Sequence, residues 1–216
     1  MIVVIANEKG GTGKTTLATT LAILRAQSGK DVLLVDADPQ ASAAEFTKVR
    51  EDEGITPGIT CVSITGRAVS TEIRKLAPRY EDIIVDVGGR DSAGMRGAMI
   101  VAEVLVVPFL AGQFDLWGVE SMDAILEDAL ALNPDMRRIA VLNKRDSNKR
   151  AGLAQEAADC FEEIKNIDLS PAQIGYRVAY RRAAAEGKAV NEMGRCDQKA
   201  VAEAIALYKE VFGDAA

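Results

Sequence analysis

The chain has 216 residues, is 48% hydrophobic and carries a formal net charge of −6. A single domain of this size buries roughly 70% of the surface its unfolded chain exposes, so its core requires no disulfide or metal staple. The sequence contains no histidine. That excludes a histidine general base, a Ser-His-Asp triad and histidine-ligated metals, and leaves chemistry to carboxylates, lysines, backbone N–H groups and a phosphate-bound cation.

In chain order, Met1 to Ala6 is a short continuous apolar run, the pattern of a strand buried on both faces. Asn7-Glu-Lys-Gly-Gly-Thr-Gly-Lys-Thr-Thr16 follows, and then Leu17, Leu21 and Leu24 recur at helical spacing up to a stop at Gly29. Further apolar runs at 32–35, 59–64, 83–85, 104–107 and 139–142 read as strands. Helical periodicity occupies 40–53, 68–77, 116–132 and 150–165. Alternating strands and helices imply crossover connections, hence a mostly parallel central sheet with helices on both faces. The expectation is one domain over 1–216 with a three-layer α/β phosphate-loop fold. No apolar run reaches the ~18 residues that suggest a membrane span, and the start lacks the pattern of a secretory signal. Cys61, Cys160 and Cys196 are isolated, which fits a reducing cytoplasm.

The segment between the first strand and first helix carries the chemistry. Gly10, Gly11, Thr12 and Gly13 let the backbone curl so that successive N–H groups face phosphate oxygens; Lys14 adds a charge and the Thr15 hydroxyl reaches Mg²⁺. The helix N-terminus adds its dipole. Lys9 is an extra cation, of little use to a pocket that already holds Lys14 unless it serves a second nucleotide or a partner. The second strand ends in Asp36-Ala37-Asp38-Pro39-Gln40, and another ends in Asp86-Val87-Gly88-Gly89. These carboxylates fall at strand ends, where open α/β sheets bind ligands. Asp86 fits a carboxylate that holds Mg²⁺ through water.

Together, Asn7 to Thr16, Asp36 to Gln40 and Asp86 with Gly88-Gly89 resemble the deviant phosphate-loop ATPases of the ParA/MinD family, over residues 1 to about 192. Within it the chain looks most like small ParA-type partition ATPases that lack an N-terminal DNA-reading extension. The resemblance implies ATP and Mg²⁺ as cofactors, held by Lys9, Gly10 to Thr16, Asn143 and Arg177, with Thr15, Asp36 and Asp86 around the metal. It implies a homodimer closed over two ATP molecules, in which Lys9 of each subunit reaches its partner's phosphates, Asp38 orients the attacking water, and Asp115 lies in a dimer-facing loop. Catalysis then falls to Lys9, Lys14 and Asp38. Gly175 stands where the family often has proline, a departure beside Arg177. Asn143-Lys144-Arg145-Asp146 looks like the family's base-recognition segment, with Asn143 on the adenine, and also resembles the guanine-reading motif of GTPases; the rest of the constellation favours ATP over GTP. Phe114 and Trp117 fit either the core or the dimer face, and Arg90-Asp91-Ser92 reads as a mobile loop by the γ-phosphate.

Charge is unevenly spread. Residues 137–150 carry six cations against Asp146, and 177–188 carry four against Glu186. Such faces fit solvated surface or, by the resemblance, non-specific DNA contacts through Lys149, Arg150, Arg181 and Arg182. The implied function is partition: ATP drives dimerisation and DNA binding, a centromere- or cargo-binding adaptor stimulates weak hydrolysis, and the protein works in the cytoplasm on the nucleoid, without a membrane. The alternative is a MinD-like membrane regulator using the stripe Val201, Ile205, Tyr208 and Phe212. Its polar face, however, mixes Glu203 and Glu210 with Lys199 and Lys209, where a membrane helix favours cations. Iron–sulfur scaffold ATPases would need paired cysteines. Metabolic kinases and amide synthetases of the superfamily normally lack Lys9.

Overall fold

Strands β1 (Ile2–Ile5), β2 (Val32–Ala37), β3 (Thr60–Ser63), β4 (Asp82–Val87), β5 (Val104–Phe109), β6 (Arg137–Leu142) and β7 (Asp168–Leu169) form one sheet in the order β3-β2-β4-β1-β5-β6-β7. All pairings are parallel. The computed structural model describes residues 1–110, 113–145, 161 and 164–213, without the side chains of 113–120. Lys149, Arg150, most of the predicted 150–165 helix, and the side chains of Phe114, Asp115 and Trp117 lie outside that description.

Six of the strands match the apolar runs because β2, β4 and β5 are buried along their whole length. An apolar residue at every position is what a strand covered on both faces requires. Successive side chains point to opposite faces, so Val4 enters one core while Val3 and Ile5 enter the other. Helices α3 (Val69–Leu76), α4 (Ala93–Val101) and α5 (Gln113–Leu130) cover the first face. On the second face lie α1 (Lys14–Gln27), α6 (Val178–Ala185) and α7 (Gln198–Phe212), with Ala43 of α2 (Ser42–Asp52).

In α7 the buried side chains are Ala200, Ala204, Leu207, Tyr208, Val211 and Phe212. The apolar face of this helix is therefore spent on the protein's own core, and Tyr208 and Phe212 stack there with ring centroids 4.9 Å apart. Among the described residues no helix is long and apolar enough to cross a membrane.

Two buried arginines fasten the layers. Arg25 donates to Asp82 at 2.7 Å and to the Tyr208 hydroxyl at 3.0 Å, joining α1, β4 and α7. Arg50, 1% exposed, grips both oxygens of Glu192 and the carbonyls of Pro57 and Gly187. Removing one partner of such a buried pair costs about 3–5 kcal/mol. The chain beyond α6 is thereby tied to α2, which starts beside the aspartates of β2.

Candidate nucleotide-binding site

The strand order reverses about β1, which lies between β4 and β5; parallel sheets bind ligands at the carboxyl ends beside such a point. Residues 8–13 bridge β1 and α1 there. Asn7, 1% exposed, anchors the start: its amide donates to the Pro108 carbonyl at 2.9 Å and its Oδ1 accepts from Lys9 N at 2.8 Å. The loop is thus stitched to the end of β5 before it begins to turn. Gly13 ends it at φ 95, a left-handed geometry that glycine adopts without steric cost. A Cβ at Gly13 would also lie 2.3 Å from Asn143 Nδ2.

Lys14 folds back and donates to the Lys9 carbonyl at 2.9 Å. Burial lowers its pKa, opposed by Asp86 and Asp38. The two lysines of the loop are therefore physically coupled: the backbone of one holds the ammonium of the other.

Asp36, fully buried, accepts from Ala44 N at 2.8 Å and Asp38 N at 3.1 Å. Burial pushes its pKa up while those backbone donors oppose the shift. Asp36 in this state organises the turn into α2 and presents Asp38, whose Oδ1 accepts from Gln40 N at 2.9 Å. Gly88 and Gly89 bring the end of β4 close: a Cβ on Gly88 would meet Asp38 Oδ1 at 3.1 Å, and one on Gly89 would meet the Gly10 backbone at 3.0 Å and Lys14 Nζ at 3.2 Å. An alanine at either position would force its neighbours to give by a few tenths of an ångström.

Asp86 is fully buried, and neither carboxylate oxygen has a partner with hydrogen-bond geometry. Burial pushes its pKa to about 7; the nearby Thr15 hydroxyl and Lys14 charge act against the shift without cancelling it. Buried polar groups are normally satisfied, so an orphan carboxylate beside Thr15 fits a cation or its water. Among the described residues no cluster of three or more acidic or cysteine side chains could cage a metal unaided. That donor set suits Mg²⁺, which keeps several waters and leans on substrate phosphates. Thr15 and Asp86 are the residues here that would hold it, with Asp36 and Asp38 behind them.

The loop opens on a cleft of 960 Å³ lined by Gly10, Lys14, Asp38, Gly88 and Lys144. A second cavity of 360 Å³ shares Gly13, Thr16 and Lys144 with it and is walled by Asn143, Tyr176 and Arg181. A phosphate cradle joined to a smaller pocket has the form of a nucleotide site. Asn143 reaches this pocket, but its Nδ2 donates to the Thr12 carbonyl at 2.6 Å and its Oδ1 accepts from Lys144 N at 2.8 Å. One end of its amide thus braces the phosphate loop, and the other holds the turn at Lys144. Arg177 also lines the pocket, while its guanidinium holds Glu203 at 2.6 and 2.9 Å. Arg181 stacks over the Tyr176 ring at 5.9 Å, and Arg182 is exposed on α6.

Residues 90–92 lead from β4 into α4. Ser92 caps α4, its hydroxyl accepting from Met95 N at 3.1 Å, and Asp91 pairs with Arg96, which also reaches Asp128 on α5. The sequence reading gave Asn7, Lys144, Glu203 and Arg96 no individual role at the site, although Asn7 opens the loop motif and Lys144 is the second residue of the base-reading one.

The fold and site define a phosphate-loop nucleotide-binding protein of the α/β class. The chain belongs to the CobQ/CobB/MinD/ParA nucleotide-binding domain family, whose model matches residues 3–190, and it is an ATPase of the ParA/MinD type. It is 28% identical over 212 residues to maintenance of carboxysome distribution protein A of Halothiobacillus neapolitanus, covering 96% of this chain and 94% of that protein. It is 32% identical over 167 residues to the chromosome-partitioning ATPase Soj of Thermus thermophilus, covering 65% and 67%. The septum site-determining protein MinD of Pyrococcus horikoshii, solved with Mg-ADP, has the same fold at a TM-score of 0.75, with 19% identity over 97% of this chain and 94% of that one. ATP with Mg²⁺ is the cofactor set that the site fits.

Proposed function

We propose that the chain is a positioning ATPase of the partition type. ATP closes two copies face to face, the dimer holds DNA without sequence preference, and a cargo-bound adaptor stimulates hydrolysis and releases it. The observation that carries this reading is the hydrogen bond from Lys14 to the Lys9 carbonyl, which fixes the Lys9 backbone next to Gly10 and Gly11 of the cleft. A side chain branching from that backbone can carry a second ammonium to triphosphate held by a facing copy and offset charge that builds during phosphoryl transfer. Bound Mg²⁺ supplies electrostatic stabilisation of the phosphates. Asp38 orients the water rather than acting as a strong base, a contribution of positioning in a closed site. Support for partition comes from relatives concerned with carboxysome distribution and chromosome partitioning. The buried apolar face of α7 weighs against the membrane-associated alternative.

The test is the mass of the protein in solution with ATP, read by light scattering together with phosphate release and DNA binding. Lys9→Ala is expected to bind ATP yet stay monomeric. Asp38→Ala is expected to bind ATP, dimerise and hold DNA, with turnover reduced at least about a hundredfold. DNA affinity of the dimer is expected to fall with salt at a log–log slope of about −4 to −5. A dimer that forms normally from Lys9→Ala rules out the shared-lysine sandwich.

A further inference from the structure

Lys144 bends the backbone to φ 52 at the end of β6. A non-glycine residue in this left-handed region costs about 1–2 kcal/mol. The bend is clamped on either side, by Asn143 N on the Phe109 carbonyl at 2.7 Å and Arg145 N on the Ile174 carbonyl at 2.9 Å. Glycine would make the same turn without strain, so the retained side chain calls for a use. That side chain returns across the phosphate loop: Lys144 Nζ donates to the Gly11 carbonyl at 2.6 Å, next to the bond from Asn143 to Thr12. Two successive peptide groups of the loop are therefore held by their carbonyl oxygens. In a trans peptide the carbonyl and the following N–H point in opposite directions, so the N–H groups of Thr12 and Gly13 are turned away from residues 143 and 144. Lys144 also lines both cavities and stands where they join.

We infer that Lys144 is a positioning residue for the nucleotide: its ammonium fixes the Gly11–Thr12 peptide for phosphate binding, and its alkyl stem forms the divide on which the base is set. The inference rests on the reading of the two cavities as one ATP site. Its two parts separate by ligand. Of the two parts of Lys144, only the ammonium bears on the phosphates, whereas the stem bears on the base.

The experiment measures the affinity of the full chain for ATP and for inorganic tripolyphosphate, with Mg²⁺, in Lys144→Met, Lys144→Ala and Lys144→Gly. Lys144→Met keeps the stem and is expected to lose about tenfold for both ligands, the scale of one charge-assisted hydrogen bond. Lys144→Ala is expected to lose about a further threefold or more for ATP only. Lys144→Gly should bind as poorly as the alanine variant while melting no lower than the parent, because its backbone strain is relieved. A merely structural lysine would lower the melting temperature without separating the two ligands. ATP affinities within twofold of the parent in both the methionine and alanine variants would overturn the inference while leaving the ATP site intact. A parent that binds tripolyphosphate but not ATP would overturn the site reading itself, and the inference with it.

Discussion

The phosphate end of the site and its base-facing rim are built on different terms. At the phosphate end, Asp36 and Asp86 sit on central strands and are fully buried, and backbone N–H groups of the turn into α2 hold the Asp36 carboxylate. At the rim, Lys144 and Tyr176 belong to connections outside the sheet, and Tyr176 is 59% exposed. Charge is therefore managed where water is scarce and interactions are strong, while on the proposed function a base would meet rim side chains that solvent can reach. Chemistry is fixed by the sheet; recognition is carried by its loops.

The largest expected effect tests whether the buried end is as dry as this contrast requires. Asp86 has a folded-state pKa of about 7 against an ordinary value of 3.8. Between those values the folded protein holds a proton that the unfolded chain has lost, so stability falls as pH rises across that window and levels off above it. By linkage the ligand-free protein loses up to about 4 kcal/mol over the interval. Asp36, also raised by burial, acts in the same sense. Asp86→Asn is expected to remove most of the slope and to stabilise the ligand-free protein at neutral pH, as read by urea unfolding. With Mg²⁺ the sense reverses: the carboxylate must ionise to serve the cation, so Mg-dependent ATP affinity should rise with pH through about 7 and be lost in Asp86→Asn. An unfolding free energy that does not change between pH 4 and 7 would show that the carboxylate is not isolated.

Gly13→Ala strikes the seam between the two regions. It places a methyl at φ 95 and against Asn143 Nδ2, combining a backbone cost of about 1–2 kcal/mol with the loss of the Asn143–Thr12 bond, worth about 1 kcal/mol. The expected loss of stability is about 2–3 kcal/mol, with weaker ATP binding. Adding Asn143→Ala, which clears the methyl's path, should recover part of the stability and little of the binding. Full recovery of both would mean that Asn143 is not a brace.

The same contrast explains what the sequence made legible. The six longer strands could be read because burial on both faces leaves an unbroken apolar run, and the aspartates stood out because they interrupt those runs at the strand ends. β7 is two residues long and only partly covered, so it left no run to find. Helix α4 was hidden by its own glycines, Gly94 and Gly97, which pack against Gly66 and Ser70 and read locally as loop. In α7 the stripe Val201, Ile205, Tyr208 and Phe212 was partly displaced, since Ala200 and Ala204 are buried while Val201 and Ile205 are only partly so. Small alanines mark a core as firmly as large side chains when helices pack closely. Rim roles were the least legible, because they depend on which distant partner a long side chain selects. Glu203, near the C-terminal end of the chain, takes Arg177, and no local pattern announces that choice.

Arg177 gives the smallest expected effect and the sharpest test of the rim. Its guanidinium pairs with Glu203, which in turn accepts from Gly175 N at 3.1 Å. The group is thus committed to joining the start of α6 to α7. Pairing with Glu203 holds its pKa up despite partial burial. If that commitment persists with nucleotide bound, Arg177→Ala should cost about 1–2 kcal/mol of stability by leaving Glu203 without its partner, and ATP affinity should stay within about threefold. A tenfold loss of affinity for ATP but not for tripolyphosphate would mean that Arg177 leaves Glu203 for the base. The rim would then be a moving part rather than a preformed wall, and Gly175, standing where the resemblance led us to expect proline, would be the position that lets it move.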